Sequence, residues 1–212
     1  MGGRSNPRAN DCRSRDPRHD ELRLFIALPV PDEAAHEIRS AIDPLRERFP
    51  TARWLDEPTL HVTLLFLGPT RHAEVPRLRD AVDGAAAVLP AYEARTGTGG
   101  GRVGHPRQGG LGVAWLNLDR GAEEAARLAV DLGNRLGTGD SWPAKGHAAH
   151  MTVARRATSD LVRALGQPGA VVPVTWIVDR IVLFASHLDP AGARYEPLHV
   201  ATLAAAPLAV GR

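Results

Sequence analysis

Leu60-His61-Val62-Thr63-Leu64-Leu65-Phe66-Leu67 is a run of β-favouring residues that carries a histidine and a threonine two positions apart. Ala149-His150-Met151-Thr152-Val153-Ala154 repeats the arrangement 89 residues later, at position 150 against position 61. Side chains alternate along a strand, so His61 and Thr63 share one face, as do His150 and Thr152. Two such strands laid together bring two imidazoles and two hydroxyls to one cleft. Imidazole titrates near neutrality, so a pair supplies one acid and one base, with no metal required. A single His-x-Thr carries little weight; the repeat in matching strand contexts is what points to a site.

The segments around the two motifs also match in order. In the first half, Leu22–Leu28 reads as a strand ended by Pro29 and Pro31. Asp32 and Glu33 open a helix with Ala35, Ile38, Ile42 and Leu45 on one side, and Pro44 predicts a kink or an early end. Arg53-Trp54-Leu55 is a short extended piece, Val75–Val88 a second helix, and Tyr92–Thr96 a strand. Gly97–Gly112 is glycine-rich and reads as an irregular loop; it lacks the Gly-Lys-Ser/Thr of a P-loop. In the second half, Leu111–Leu118 is a strand and Ala122–Leu136 a helix with Leu128, Leu132 and Leu136 aligned. Gly137–Gly146 is a loop, Ser159–Leu165 a short helix, Val171–Ala185 a β-prone stretch bent at Pro173, and Arg194–Leu203 a last strand.

Each half therefore reads strand, helix, His-x-Thr strand, helix, strand. The expected fold class is α+β: a duplicated β-α-β-α-β unit, with two pseudo-symmetric lobes of antiparallel sheet, helices outside, and the His-x-Thr strands facing each other across a central cleft. Residues 1–21 form a tail rich in Arg and Asp, read as disordered. Residues 22–205 form one bilobal domain, with lobes at 22–97 and 111–203 and a loop at 97–110. Residues 206–212 are a C-terminal tail.

Composition narrows the classes. A length of 212 residues with 43% hydrophobic content suits one globular domain with a substantial core. The net charge of +2 permits an anionic substrate without demanding one. Lys145 is the single lysine among otherwise arginine cations, a bias expected of G+C-rich coding, so arginine abundance alone is poor evidence for nucleic acid. The lone Cys12 excludes an intrachain disulfide and a cysteine zinc site, and fits a reducing cytoplasm. No apolar run reaches membrane-spanning length, and no secretory signal precedes Leu22.

Several segments together resemble a known family. They are Arg23-Leu24-Phe25-Ile26-Ala27-Leu28-Pro29, Arg53-Trp54-Leu55, Leu60 to Gly68, His150-Met151-Thr152-Val153-Ala154-Arg155, Ile181 to Ser186, and Gly192-Ala193-Arg194-Tyr195. They resemble the 2H phosphoesterases, in particular the bacterial RNA 2′,3′-cyclic phosphodiesterases, also called 2′-5′ RNA ligase-like proteins. The likeness spans roughly residues 22 to 203. The chain departs from the family at Ala149, where proline is usual, at Val153, where leucine is commoner, and at Lys145-Gly146-His147, where a basic-Pro-aromatic run is frequent.

The resemblance implies hydrolysis of RNA 2′,3′-cyclic phosphate ends to 2′-phosphates in the cytoplasm by a monomer, with no cofactor, metal or membrane. Its reverse, 2′-5′ joining, and a nucleotide- or RNA-binding module with little turnover are the alternatives. It implies His61 and His150 as the acid–base pair, assigned here as proton donor and proton acceptor respectively, with Thr63 and Thr152 holding phosphoryl oxygens. Arg155 matches a family basic residue that grips phosphate, yet strict alternation puts it on the face opposite His150, so it reaches the cleft only if the strand ends or bulges near Ala154. Trp54 and Tyr195 are candidate stacking surfaces for a base. Phe66 lies at odd spacing from His61 and is expected to face the core. His147 and His150 in extended chain point apart, which argues against a metal pair.

Overall fold

The computed structural model describes residues 20–104, 111–138, 149–189 and 192–204. The first strand, β1 (Glu21–Pro29), leads into α1 (Asp32–Arg48), a two-residue strand β2 (Arg53–Trp54), and the first motif strand β3 (His61–Arg71). Helix α2 (Val75–Ala86) and strand β4 (Tyr92–Arg102) complete that half. The second half is β5 (Gly112–Arg120), α3 (Ala122–Leu136), the second motif strand β6 (His150–Ala157), α4 (Ser159–Leu165), β7 (Thr175–Val178), β8 (Arg180–Asp189) and β9 (Gly192–Thr202).

All the paired strands run antiparallel in one sheet, in the order β7-β4-β5-β6-β3-β1-β8-β9, with β2 alongside β6. The two His-x-Thr strands are neighbours at its centre, joined through the pair Val62↔Met151. Mirrored sets of strands flank that seam. The pairing crosses the lobe boundaries expected from the sequence. β4 belongs beside β5, in the second half of the sheet, while β8 and β9 return to β1 in the first half. Local periodicity finds strands but carries no information on which distant strand each will meet.

One face of the sheet carries the core. Leu24, Ile26 and Leu28 of β1, Val62 and Leu64 of β3, and Met151 and Val153 of β6 are buried there with the apolar stripes of the helices. In α1 that stripe is Ala34, Ala35, Ile38, Ile42 and Leu45. The helix continues through Pro44, because Pro44 and Ser40 are both exposed and the Ser40 carbonyl, deprived of its i+4 donor, is open to water. α3 spans the expected residues, entered and left by Gly121 and Gly137 at positive φ, where only glycine is unstrained. Arg77 of α2 donates to the Leu136 carbonyl at 2.9 Å and ties the two helices together. In α4 the Thr158 hydroxyl accepts from the Leu161 N–H at 3.3 Å, the N-cap that starts a seven-residue helix.

The expected loop from Gly97 is corrected over residues 97–102, which continue β4 as a strand with an irregularity between Thr96 and Gly99; residues 105–110 lie outside the described residues. The glycines are there for close approach rather than for mobility. A Cβ on Gly99 would sit 2.3 Å from Leu165 Cγ and 2.7 Å from its carbonyl oxygen, and one on Gly101 would sit 2.5 Å from Val162. α4 thus rests on bare backbone. Gly99→Ala is expected to destabilise the fold by about 2 kcal/mol, lowering Tm by roughly 4–8 °C for a chain of this size. An unchanged thermal midpoint would mean that α4 does not need this contact.

Candidate active site

The face of the sheet opposite the helices carries both motifs. Val62 and Met151 point into the core, so the residues on either side of them point away from it. Continuing that register sets His61 across from Thr152, and Thr63 across from His150. The four side chains expected to form the reaction centre are therefore gathered on adjoining strands, and all four are half-buried.

Both motif strands then break alternation in the same way. Along β3 the partners on β1 run Ala27↔Thr63, Ile26↔Leu65, Phe25↔Phe66 and Leu24↔Gly68, so Leu64 and Leu67 are extra residues. Along β6 the partners on β5 run Trp115↔Thr152, Ala114↔Ala154, Val113↔Arg155 and Gly112↔Ala157, so Val153 and Arg156 are extra. Each bulge lets two consecutive residues, Leu64-Leu65 and Val153-Ala154, bury on the core side, and the residue after them returns to the site side. Those residues are Phe66 and Arg155. The expectation that Phe66 faces the core is corrected: it is 49% exposed at the pocket. Arg155, whose place depended on such a bulge, also lines the pocket. Arg156 adopts φ 55°, the one positive φ on a non-glycine residue among those described, a strain of order 1–3 kcal/mol. Its effect is to end the detour that turns Arg155 to the site. The bulged Val153 carbonyl accepts from the Leu55 N–H at 2.9 Å, so the irregularity leaves that acceptor satisfied.

The pocket is formed by Arg23 and Phe25 of β1, His61, Thr63 and Phe66 of β3, Thr152 and Arg155 of β6, Ser186 of β8, Ala193 and Tyr195 of β9, and Leu55 just past β2. Among the described residues it is lined by no carboxylate. Among the described residues no group of three or more His, Cys, Asp or Glu is placed to hold a metal ion.

His61 is held tightly. Its Nδ1–H donates to the Thr59 carbonyl at 2.7 Å, which leaves Nε2 for the pocket. Phe25 lies 5.0 Å away, centroid to centroid, and Tyr195 meets the imidazole edge-on at 5.3 Å and 90°. Burial holds the His61 pKa below the ordinary imidazole value; the Thr59 bond opposes that shift, and the positive charges of Arg155 and His150 add to it. His150 packs beside the Trp115 indole at 5.1 Å. That indole donates to Asn117 Oδ1 at 3.0 Å, and Asn117 donates to the Thr98 carbonyl at 2.8 Å.

The electrostatic coupling has a measurable sign. A neighbouring positive charge disfavours protonation, so removing it must raise the His61 pKa toward the ordinary value. In an NMR titration of the ring, Arg155→Gln is expected to move the His61 midpoint upward. A downward or absent shift would place Arg155 too far away to act on it.

Of the remaining candidates, Tyr195 lines the pocket, while His150, beside Trp115, and Trp54 are not among its described lining residues. The Trp54 indole N–H donates to the Phe49 carbonyl at 3.2 Å and the partly buried ring packs against the core. Lys145 and His147 lie outside the described residues. Sequence reasoning missed Arg23, Phe25, Leu55, Phe66, Ser186 and Trp115. Arg23 and Phe25 alternate on β1 and would follow from knowing that β1 pairs with β3. Ser186 and Leu55 carry no local signal.

A model of the 2′-5′ RNA ligase superfamily matches residues 30–190. The chain belongs to the 2′-5′ RNA ligase superfamily. Among superfamily relatives, an RNA 2′,3′-cyclic phosphodiesterase of Thermotoga maritima is 29% identical over 183 residues, 84% of this chain and 94% of the relative. One of Methanothermobacter thermautotrophicus is 23% identical over 184 residues, 85% of this chain and 98% of the relative. Two solved structures share the fold. One, from Thermus thermophilus, has TM-score 0.67 and 26% identity over 86% of this chain and 98% of its own. The other, Escherichia coli LigT in apo form, has TM-score 0.64 and 21% identity over 87% and 98%. No described helix of this superfamily member is long and apolar enough to cross a membrane.

Proposed function

We propose that this chain hydrolyses RNA ends bearing a 2′,3′-cyclic phosphate, leaving a 2′-phosphate and a free 3′-hydroxyl. The observation that carries the reading is the seam Val62↔Met151, whose register sets two half-buried imidazoles on one face of the sheet. The shared name of the relatives from Thermotoga and Methanothermobacter agrees with it.

In this reading Arg155, Thr63 and Thr152 hold the non-bridging phosphoryl oxygens. His150 accepts a proton from water as the water oxygen bonds to phosphorus. The bond from phosphorus to O3′ breaks, and the protonated His61 donates its Nε2 proton to that oxygen. A pKa held low by burial makes the His61 imidazolium a stronger acid than an ordinary one and leaves less of it protonated near neutrality, while the Thr59 carbonyl stabilises the charged ring from behind. The cycle closes when His150 returns its proton to solvent and His61 takes one up. The lone Cys12 supports a reducing, cytoplasmic setting.

The test is incubation with an RNA ending in a 2′,3′-cyclic phosphate in the presence of EDTA, with products resolved by phosphorus NMR. The expected product is the 2′-phosphomonoester at an undiminished rate. Loss of turnover with EDTA would refute the metal-free reading. Tight binding without turnover would favour a binding module, and accumulation of 2′-5′ linkages from paired ends would favour ligation.

A further inference from the structure

Two arginines line the pocket among the described residues, and the proposed reaction uses one. Arg155 approaches His61 closely enough to depress its protonation and is the cation assigned to the scissile phosphate. Arg23 enters from β1. Its guanidinium lies over the Phe66 ring at 4.7 Å from the centroid, while the ring remains 49% exposed. Among the described residues neither arginine is paired with a carboxylate, and the pocket lining contains none. Arg23 therefore keeps its charge available to a ligand, on a platform already assembled by the cation–π contact.

A nucleoside 2′,3′-cyclic phosphate carries one phosphate, and the motif side chains with Arg155 account for it. A second cation in the same pocket gains a partner only when the substrate carries a second phosphate, and in RNA that is the linkage preceding the terminal nucleotide. The aromatic face adds what a base needs, since stacking serves any nucleobase. The position also suits a site beyond the terminal nucleotide. Phe66 is five residues along β3 from His61, on the order of 15 Å at the usual strand rise before the bulges shorten it. The matching place on β6 is held by Arg155, so the duplicated bulge offers a phosphate grip on one strand and a stacking surface on the other.

We propose that Arg23 and Phe66 form a second subsite that binds the internucleotide phosphate and nucleotide preceding the cyclic end, and so make the enzyme prefer RNA chains to mononucleotides. The inference rests on the phosphodiesterase reading. The test compares kcat/KM for a nucleoside 2′,3′-cyclic phosphate, a dinucleotide ending in one, and the same dinucleotide with a neutral methylphosphonate linkage. The wild-type enzyme is expected to favour the dinucleotide over both others by about tenfold. Arg23→Gln abolishes the advantage of the charged linkage over the neutral one. Phe66→Ala lowers the dinucleotide-to-mononucleotide ratio and Phe66→Tyr restores it. A ratio is unaffected by the fraction of each variant that folds. Turnover with equal ratios in wild-type and variants would overturn this inference alone. Absence of turnover on all three substrates would overturn the phosphodiesterase reading and this inference with it.

Discussion

His61→Ala and His150→Ala each lower kcat on a 2′,3′-cyclic phosphate by about a thousandfold, within the 10²–10⁴ range of a positioned acid or base. The loss falls on kcat more than on KM, because the phosphate grip of Thr63, Thr152 and Arg155 stays in place. Substitution at His61 leaves the Thr59 carbonyl without its donor, but that carbonyl follows a short 3₁₀ turn (Glu57–Thr59) near the pocket, where water can replace the ring. His61→Asn keeps a donor near the carbonyl and removes the acid, so it separates chemistry from local structure: the account expects Asn to be as inactive as Ala. A variant retaining a third of wild-type kcat at either position would remove that histidine from the reaction.

Arg155→Gln has the second largest effect, lowering kcat/KM by about a hundredfold, or about 2.7 kcal/mol of transition-state stabilisation. β6 inserts Val153 and Arg156 against β5 and holds Arg156 at φ 55°, and the outcome is the Arg155 guanidinium placed in a pocket where no carboxylate is found among the described lining residues. Arg155→Lys is expected to recover only part of the loss, since an ammonium cannot grip two phosphoryl oxygens in parallel. Equal activity of Gln and Arg at this position would make the bulge a matter of folding only.

Much of this arrangement is legible in the sequence because it is local. Ala122–Leu136 shows its stripe of Leu128, Leu132 and Leu136, and Ser159–Leu165 reads as a short helix, so both helices are found where expected. The four motif residues follow from alternation alone. What resists reading is non-local. The bulges at Leu64 and Val153 have no signature in residue type, yet they decide that Phe66 and Arg155 face the pocket. The glycines of β4 look like a loop until α4 is laid upon them. Only the folded chain discloses that the Trp54 indole N–H donates to the Phe49 carbonyl. The return of β8 and β9 to β1 is likewise a matter of long-range pairing.

The division of labour between the two imidazoles is open to one direct measurement. A p-nitrophenyl phosphodiester has a leaving group that departs without a proton, so it needs a base but no acid. The ratio of kcat on this ester to kcat on a 2′,3′-cyclic nucleotide is to be determined for wild-type, His61→Ala and His150→Ala. With His61 as donor and His150 as acceptor, the ratio rises about a hundredfold or more in His61→Ala and stays near the wild-type value in His150→Ala. A rise confined to His150→Ala would reverse the two roles, and an unchanged ratio in both variants would contradict acid–base catalysis by this pair.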